Sequence, residues 1–154
     1  MYNSVQLAKF IAAYFNAKNA DINMTKVQKL TYITYGIYLA LKDDRIIEEH
    51  PQAWPYGPVF PTTRNKLSKI DLNTICLEDE DLSVIKKDEY LNKVVDLVYR
   101  SFGDWSATRL SDWSHKEGSP WEKTVSTQGF KWGNRIDDEY IKSYFRKILV
   151  PKND

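Results

Sequence analysis

Asn23-Met24-Thr25-Lys26-Val27-Gln28-Lys29-Leu30-Thr31-Tyr32-Ile33-Thr34-Tyr35-Gly36-Ile37-Tyr38-Leu39-Ala40-Leu41 reads as the helix around which the rest of the chain is arranged. Asn23 or Thr25 offers an N-cap, Gln28 follows Thr25 by three, and Val27, Leu30, Ile33, Ile37, Tyr38 and Leu41 recur on one face. Tyr32, Tyr35 and Leu39 spread apolar character over much of the circumference, as in a helix buried on most sides. The three tyrosines are expected to pack in the core with their phenol tips hydrogen-bonded.

Upstream, Asn3 or Ser4 caps a helix from about Val5 to Ala17, with Leu7, Ala8, Ile11, Ala12 and Phe15 at helical spacing and Asn19 and Asp21 marking its end. Downstream, Ile46-Ile47 and Ala53-Trp54 flank turn residues and suggest a short β-ribbon. The prolines of Pro51 to Pro61 exclude a central strand and make this a shaped, Pro-rich loop. Gly57, held before Pro58, is free to take positive φ. Pro61 opens a third helix with Leu67 and Ile70 buried, ending near Asp71. Leu72 to Ser83, with the acidic run Glu78-Asp79-Glu80-Asp81, reads as an exposed connector, which Ile75 and Leu77 can tack down. A helix from Asp88 carries Leu91, Val94, Val95, Val98 and Phe102 and stops at Gly103. Asp104 then caps one running to His115, Ser119-Pro120 begins a short helix, and Asp137 precedes a last helix bearing Ile141, Tyr144, Phe145 and Ile148. The expected fold is mainly α: a compact single-domain helical bundle over residues 1–154 with a small β-ribbon.

The charge balance excludes several functions. Lys+Arg number 22 and Asp+Glu 21, so the net charge of +1 leaves no excess to drive nonspecific nucleic-acid or membrane binding. No apolar run is long enough to span a bilayer, no basic-then-apolar leader opens the chain, and the lone Cys76 can form no internal disulfide; a cytoplasmic location is expected. Cys76, His50 and His115 are too scattered for a metal site, and the six glycines form no phosphate loop, so no metal or other cofactor is expected. Ser111, Asp112 and His115 share a predicted helix face, yet Ser111 sits mid-helix without an oxyanion hole or strained turn. His115 is assigned instead to bonding the last carbonyls of its helix, and no catalytic residue is assigned. Trp54, Tyr56, Trp113 and Trp121 stand beside proline-stiffened turns, where large aromatics make good interface anchors.

Three segments in order, Ile22 to Tyr32, Ala53 to Pro61 and Leu110 to Trp121, with a closing Ile136 to Phe145, resemble the Panacea domain, also called the SocA-like antitoxin domain. The resemblance runs from about Leu7 to Phe145. The chain departs from the family pattern at Thr31 (commonly leucine), Pro55 (a lysine or similar residue) and Ser114 (threonine). The resemblance implies an antitoxin, not an enzyme, that neutralises a cognate protein toxin by direct binding, with delivery of that toxin to an AAA+ protease as a second mode. A phage- or prophage-borne regulator or anti-defence protein is the alternative on the same domain. Trp54, Tyr56, Gly57, Pro58, His115 and Trp121 are the expected partner-binding residues, and Gln28, Lys29, Leu30, Tyr32, Val59 and Pro120 the expected structural ones.

Overall fold

The computed structural model of the protein describes residues 1–149. Its central element is the helix expected from the sequence, α2 (Met24–Lys42), capped by the Asn23 side chain, which accepts from the Lys26 N–H. Every residue from Lys26 to Ile37 is buried. Such a helix carries its polar side chains inward at a desolvation cost unless each finds a partner. Thr31 and Thr34 donate to the carbonyls of Val27 and Leu30 one turn back, Lys26 donates to the Gly103 carbonyl, and Gln28 and Lys29 reach the ribbon described below. Leu41, expected on the buried face, is 51% exposed.

Around α2 pack α1 (Ser4–Ala17), α3 (Pro61–Leu67), α4 (Glu89–Phe102), α5 (Ala107–Ser114) and α7 (Asp138–Leu149), and α6 (Pro120–Val125) packs on α7 and the ribbon. The fold is mainly α, with one two-stranded sheet, and no helix among the described residues is long and apolar enough to cross a membrane. Local signals placed most boundaries: Asn3 caps α1, Asp88 caps α4 and Ser119 caps α6, each through its side chain. Tyr32 and Tyr35 are core residues and Tyr38 is half-buried against Tyr90. Only part of the phenol expectation holds: Tyr35 bonds Asp138, whereas the buried Tyr32 hydroxyl finds no partner among the described residues.

Three further expectations are corrected. Ile46 and Ile47 do not form the ribbon; their backbone pairs with Tyr2 instead, and the ribbon is β1 (Gln52–Trp54) against β2 (Gly57–Val59), antiparallel with Trp54 opposite Gly57. Helix α3 ends at Leu67, not near Asp71, and Ile70 lies at the surface after a tightened last turn. Its N-cap residue Phe60 has no capping side chain, so Glu49 does the work from a distance, accepting from the Thr62 and Thr63 N–H groups and the Thr63 and Ser4 hydroxyls. Ser106 rather than Asp104 caps α5, its hydroxyl accepting from the Arg109 N–H. The connector 72–83 exposes Glu78, Glu80 and Asp81 and is tacked down by Ile75 and Leu77 as expected; its 3₁₀ turns also bury Leu72 and Leu82, and Lys9 holds Asp81 at 2.9 Å.

Candidate functional site

Four side chains from α2, α5 and α6 hold the ribbon in place. The Gln28 carboxamide accepts from the Phe60 N–H at 2.9 Å, and the Lys29 ammonium donates to the Pro58 carbonyl at 2.9 Å. The consecutive Gln28-Lys29 pair therefore clips two alternate residues at the end of β2, consistent with its assignment as structural. Trp121 donates its indole N–H to the Trp54 carbonyl at 2.7 Å, Ser111 donates its hydroxyl to the Tyr56 carbonyl at 3.0 Å, and Trp54 closes back onto Gln52. Gly57 adopts φ +114°, the conformation its place before Pro58 allowed, and lies over Lys29 and Ser114. What this bracing presents to solvent is the turn Pro55-Tyr56, with Tyr56 78% exposed.

The residues expected to bind a partner thus divide by position. Tyr56 projects and Trp54 is half-buried beside it, whereas Gly57 and Pro58 lie beneath the surface and shape the turn. Trp121 and His115 are half-buried against each other, ring centroids 5.4 Å apart, and serve as a buttress behind the ribbon. Trp113 packs inward against Phe102, Trp105, Tyr144 and Phe145. Leu30 and Tyr32 are core, Val59 is buried beneath the ribbon, and Pro120 is buried at the start of α6.

His115 does not bond the carbonyls of its own helix. It occupies the C-cap position of α5 and its Nδ1 is buried without a hydrogen-bond partner among the described residues. The Ser111 hydroxyl, committed to the Tyr56 carbonyl, is directed at the hairpin, and Asp112 is exposed. The sequence reading also missed a third strand-like segment. Ala53 bonds Asn134 and Gly133, and Ile136 bonds Pro51, so residues 133–136 run along the outer edge of β1. Trp132, 57% exposed, stacks near Trp121 and Phe130 just before it. The signal available was the turn-forming Gly133-Asn134 after an aromatic, but its β partner lies some eighty residues away and leaves no local trace.

The braced ribbon forms one wall of a cleft of about 540 Å³, floored by α2 and bounded by α3 and α5. Lys29 lies in its lining yet is only 3% exposed, and burial lowers its pKa from 10.5 to about 8. The unfolded chain therefore holds a proton on Lys29 that the folded chain has released between about pH 8 and pH 10.5, so this residue's contribution to stability rises with pH through that window. Tyrosines act oppositely above pH 10. Tyr2 and Tyr14 are pushed up to about 12, by burial first and then by hydrogen bonds to Asp88 and Asp96, so the unfolded state ionises first and stability falls. Urea midpoints are expected to climb above pH 8 and decline beyond pH 10, with a smaller climb in Lys29→Met. An identical climb in that variant would show that Lys29 is not the group responsible.

Both the cleft and its bracing draw largely on the segments 22–32, 53–61 and 110–121. Antitoxin SocA of Caulobacter vibrioides (strain NA1000 / CB15N) is 29% identical to the chain over 141 residues, covering 84% of this chain and 75% of that protein. The profile of the family described as "Antitoxin SocA-like, Panacea domain" matches residues 27–122. The chain belongs to this family of SocA-like antitoxin domains, as the three segments indicated. The matched span runs from the first turns of α2 into α6, and so contains the ribbon and its braces; α1 and α7 lie outside it. No solved structure matches the chain.

Proposed function

We propose that the protein is an antitoxin that neutralises a protein toxin by direct binding, with the Pro55-Tyr56 turn and the adjoining cleft as the contact face. The observation that supports this reading is Tyr56 itself. Tyr56 is 78% exposed, and the turn that carries it is fixed by Gln28, Lys29, Ser111 and Trp121. A rigidly held aromatic loses little conformational entropy on binding, which is the property of an interface anchor. The action is read as stoichiometric binding: the Ser111 hydroxyl, four residues before His115 in the sequence, is spent on holding the turn.

Co-expression with the product of the neighbouring gene tests the proposal. Wild-type protein is expected to restore growth, and Tyr56→Ala to lose at least ~2 kcal/mol of affinity for the toxin while melting as wild type does, because the side chain is exposed and makes no hydrogen bond among the described residues. Full rescue by a folded Tyr56→Ala variant would move the contact face elsewhere. No rescue by wild type would transfer the assignment to a regulator or anti-defence protein on the same domain. A fall in toxin level that depends on a cellular AAA+ protease would identify delivery rather than occlusion as the mode.

A further inference from the structure

Two lysines of α2 are buried to a similar extent but are not treated alike. Lys26, 5% exposed, has the carboxylates of Asp21 and Asp104 acting on it, lies 5.7 Å from the Phe15 ring centroid and donates to the Gly103 carbonyl. Lys29, 3% exposed, has one carbonyl acceptor for three ammonium protons, and no carboxylate lies within ion-pair distance among the described residues. An ammonium withdrawn from water and left without a counter-charge is costly, and buried lysines are almost always paired.

The cleft that Lys29 lines holds further groups of the same sign. The first turns of α2 (Met24, Thr25) and α5 (Ala107, Thr108) both face it. Asn23 and Ser106 satisfy the third N–H of their helices, at Lys26 and Arg109, leaving the N–H groups of Met24, Thr25, Ala107 and Thr108 without partners among the described residues. Two helix N-termini thus add partial positive charge beside a buried ammonium. Arg64, exposed on α3, adds a second full cation, its guanidinium 5.9 Å from the Trp54 ring centroid. Against them stands Asp112 alone.

We propose that this cleft is a receptor for an acidic side chain, an Asp or Glu of the protein partner, whose carboxylate completes the ion pair that Lys29 lacks. This inference rests on the reading of the Tyr56 face as a partner surface, and names the chemistry of what enters beside it. A carboxylate is favoured over a phosphate because its single charge suits a site that keeps Asp112 at its rim, whereas a phosphate monoester approaches two charges at neutral pH. The apolar walls supplied by Met24, Trp54 and Val59 match the methylene stem of a glutamate. Of the ionisable groups facing Lys29 across the cleft, Arg64 lies on α3, Asp112 on α5 is exposed, and Tyr56 sits in the turn; β2 contributes only backbone.

The test uses the free protein and needs no toxin, so its failure is distinguishable from failure of growth rescue. Backbone and lysine-amine NMR signals are followed while acetyl-Ala-Glu-Ala-amide, its glutamine counterpart or inorganic phosphate is added. The glutamate peptide is expected to shift the signals of Gly57, Ser111 and Lys29 saturably, and the glutamine peptide to leave them unmoved. Lys29→Gln, which keeps a donor for the Pro58 carbonyl, should weaken the glutamate peptide roughly tenfold, as expected for a charge-assisted hydrogen bond. Arg64→Gln, an exposed change that leaves the fold alone, should weaken it several-fold. Affinity should fall as the pH rises past about 8, where free Lys29 loses its proton, and the fall should vanish in Lys29→Gln. Equal shifts from the glutamine peptide, tighter binding of phosphate at the same signals, or affinity unchanged in both variants would each overturn the proposal.

Discussion

Truncation of Phe145 to alanine is expected to destabilise the protein by about 3–5 kcal/mol, the range for deleting a buried aromatic side chain. Phe145 is the residue by which α7 is keyed into α2. It is 1% exposed and meets Tyr32 and Trp113 edge-on at centroid distances of 5.8 and 6.1 Å. Its ring occupies the space that a side chain at Gly36 would fill, since a Cβ built there would overlap the ring directly. Gly36 is thus the hole and Phe145 the knob, which explains a glycine in the middle of the longest helix, where it sacrifices about 1 kcal/mol relative to alanine. Gly36→Ala alone should destabilise, because overpacking costs ~1–3 kcal/mol and outweighs the helical gain. In the Phe145→Ala background the obstruction is gone, and the same substitution should be neutral or stabilising by up to ~1 kcal/mol. Urea denaturation of the four proteins measures this coupling, and simple additivity would show that the two residues do not share one space.

Gly57→Ala should cost about 2–4 kcal/mol, combining a backbone conformation closed to L-residues with a steric conflict. At φ +114° the new methyl would stand 2.6 Å from the Ser114 hydroxyl oxygen and 3.2 Å from the Lys29 nitrogen. Neither neighbour can withdraw freely: Ser114 is buried and donates to the Ser111 carbonyl, and Lys29 is tied to Pro58. Ser114→Ala removes the nearest atom and should restore part of the loss, leaving the backbone component. The measurement is the melting temperature of the two single variants and the double variant. An unchanged melting temperature in Gly57→Ala would mean that the turn does not require glycine. Because the same turn carries Tyr56, the variant should also weaken any partner held there beyond its effect on stability, by letting the anchor move.

The residues that set boundaries locally could be read directly. Asn3, Asp88 and Ser119 announce helices because a capping oxygen acts on an N–H two or three residues away, and the apolar spacing of α2 identifies the central helix because burial on all sides leaves a composition visible in a short window. The three motif segments likewise identified the family before any geometry was known. Their ordered set is informative because Gln28, Lys29, Trp54, Gly57, Ser111 and Trp121 hold one another in place.

What the tertiary structure decided was every interaction whose partner is remote. Glu49 caps α3 across 13 residues, Ile47 pairs with Tyr2, residues 133–136 flank β1, and Lys29 meets the ribbon rather than an acid. It also divided the aromatics. Trp54, Tyr56, Trp113 and Trp121 look equivalent in composition, yet Trp113 packs into the helices, Trp121 spends its N–H on the Trp54 carbonyl, and Tyr56 projects into solvent. Sequence by itself determined the helical class, the central helix and the family, because propensity, capping and periodicity act over a few residues. Only the folded chain decided which side chains brace and which are presented, because burial and hydrogen-bond partnership depend on residues brought together from far apart along the sequence.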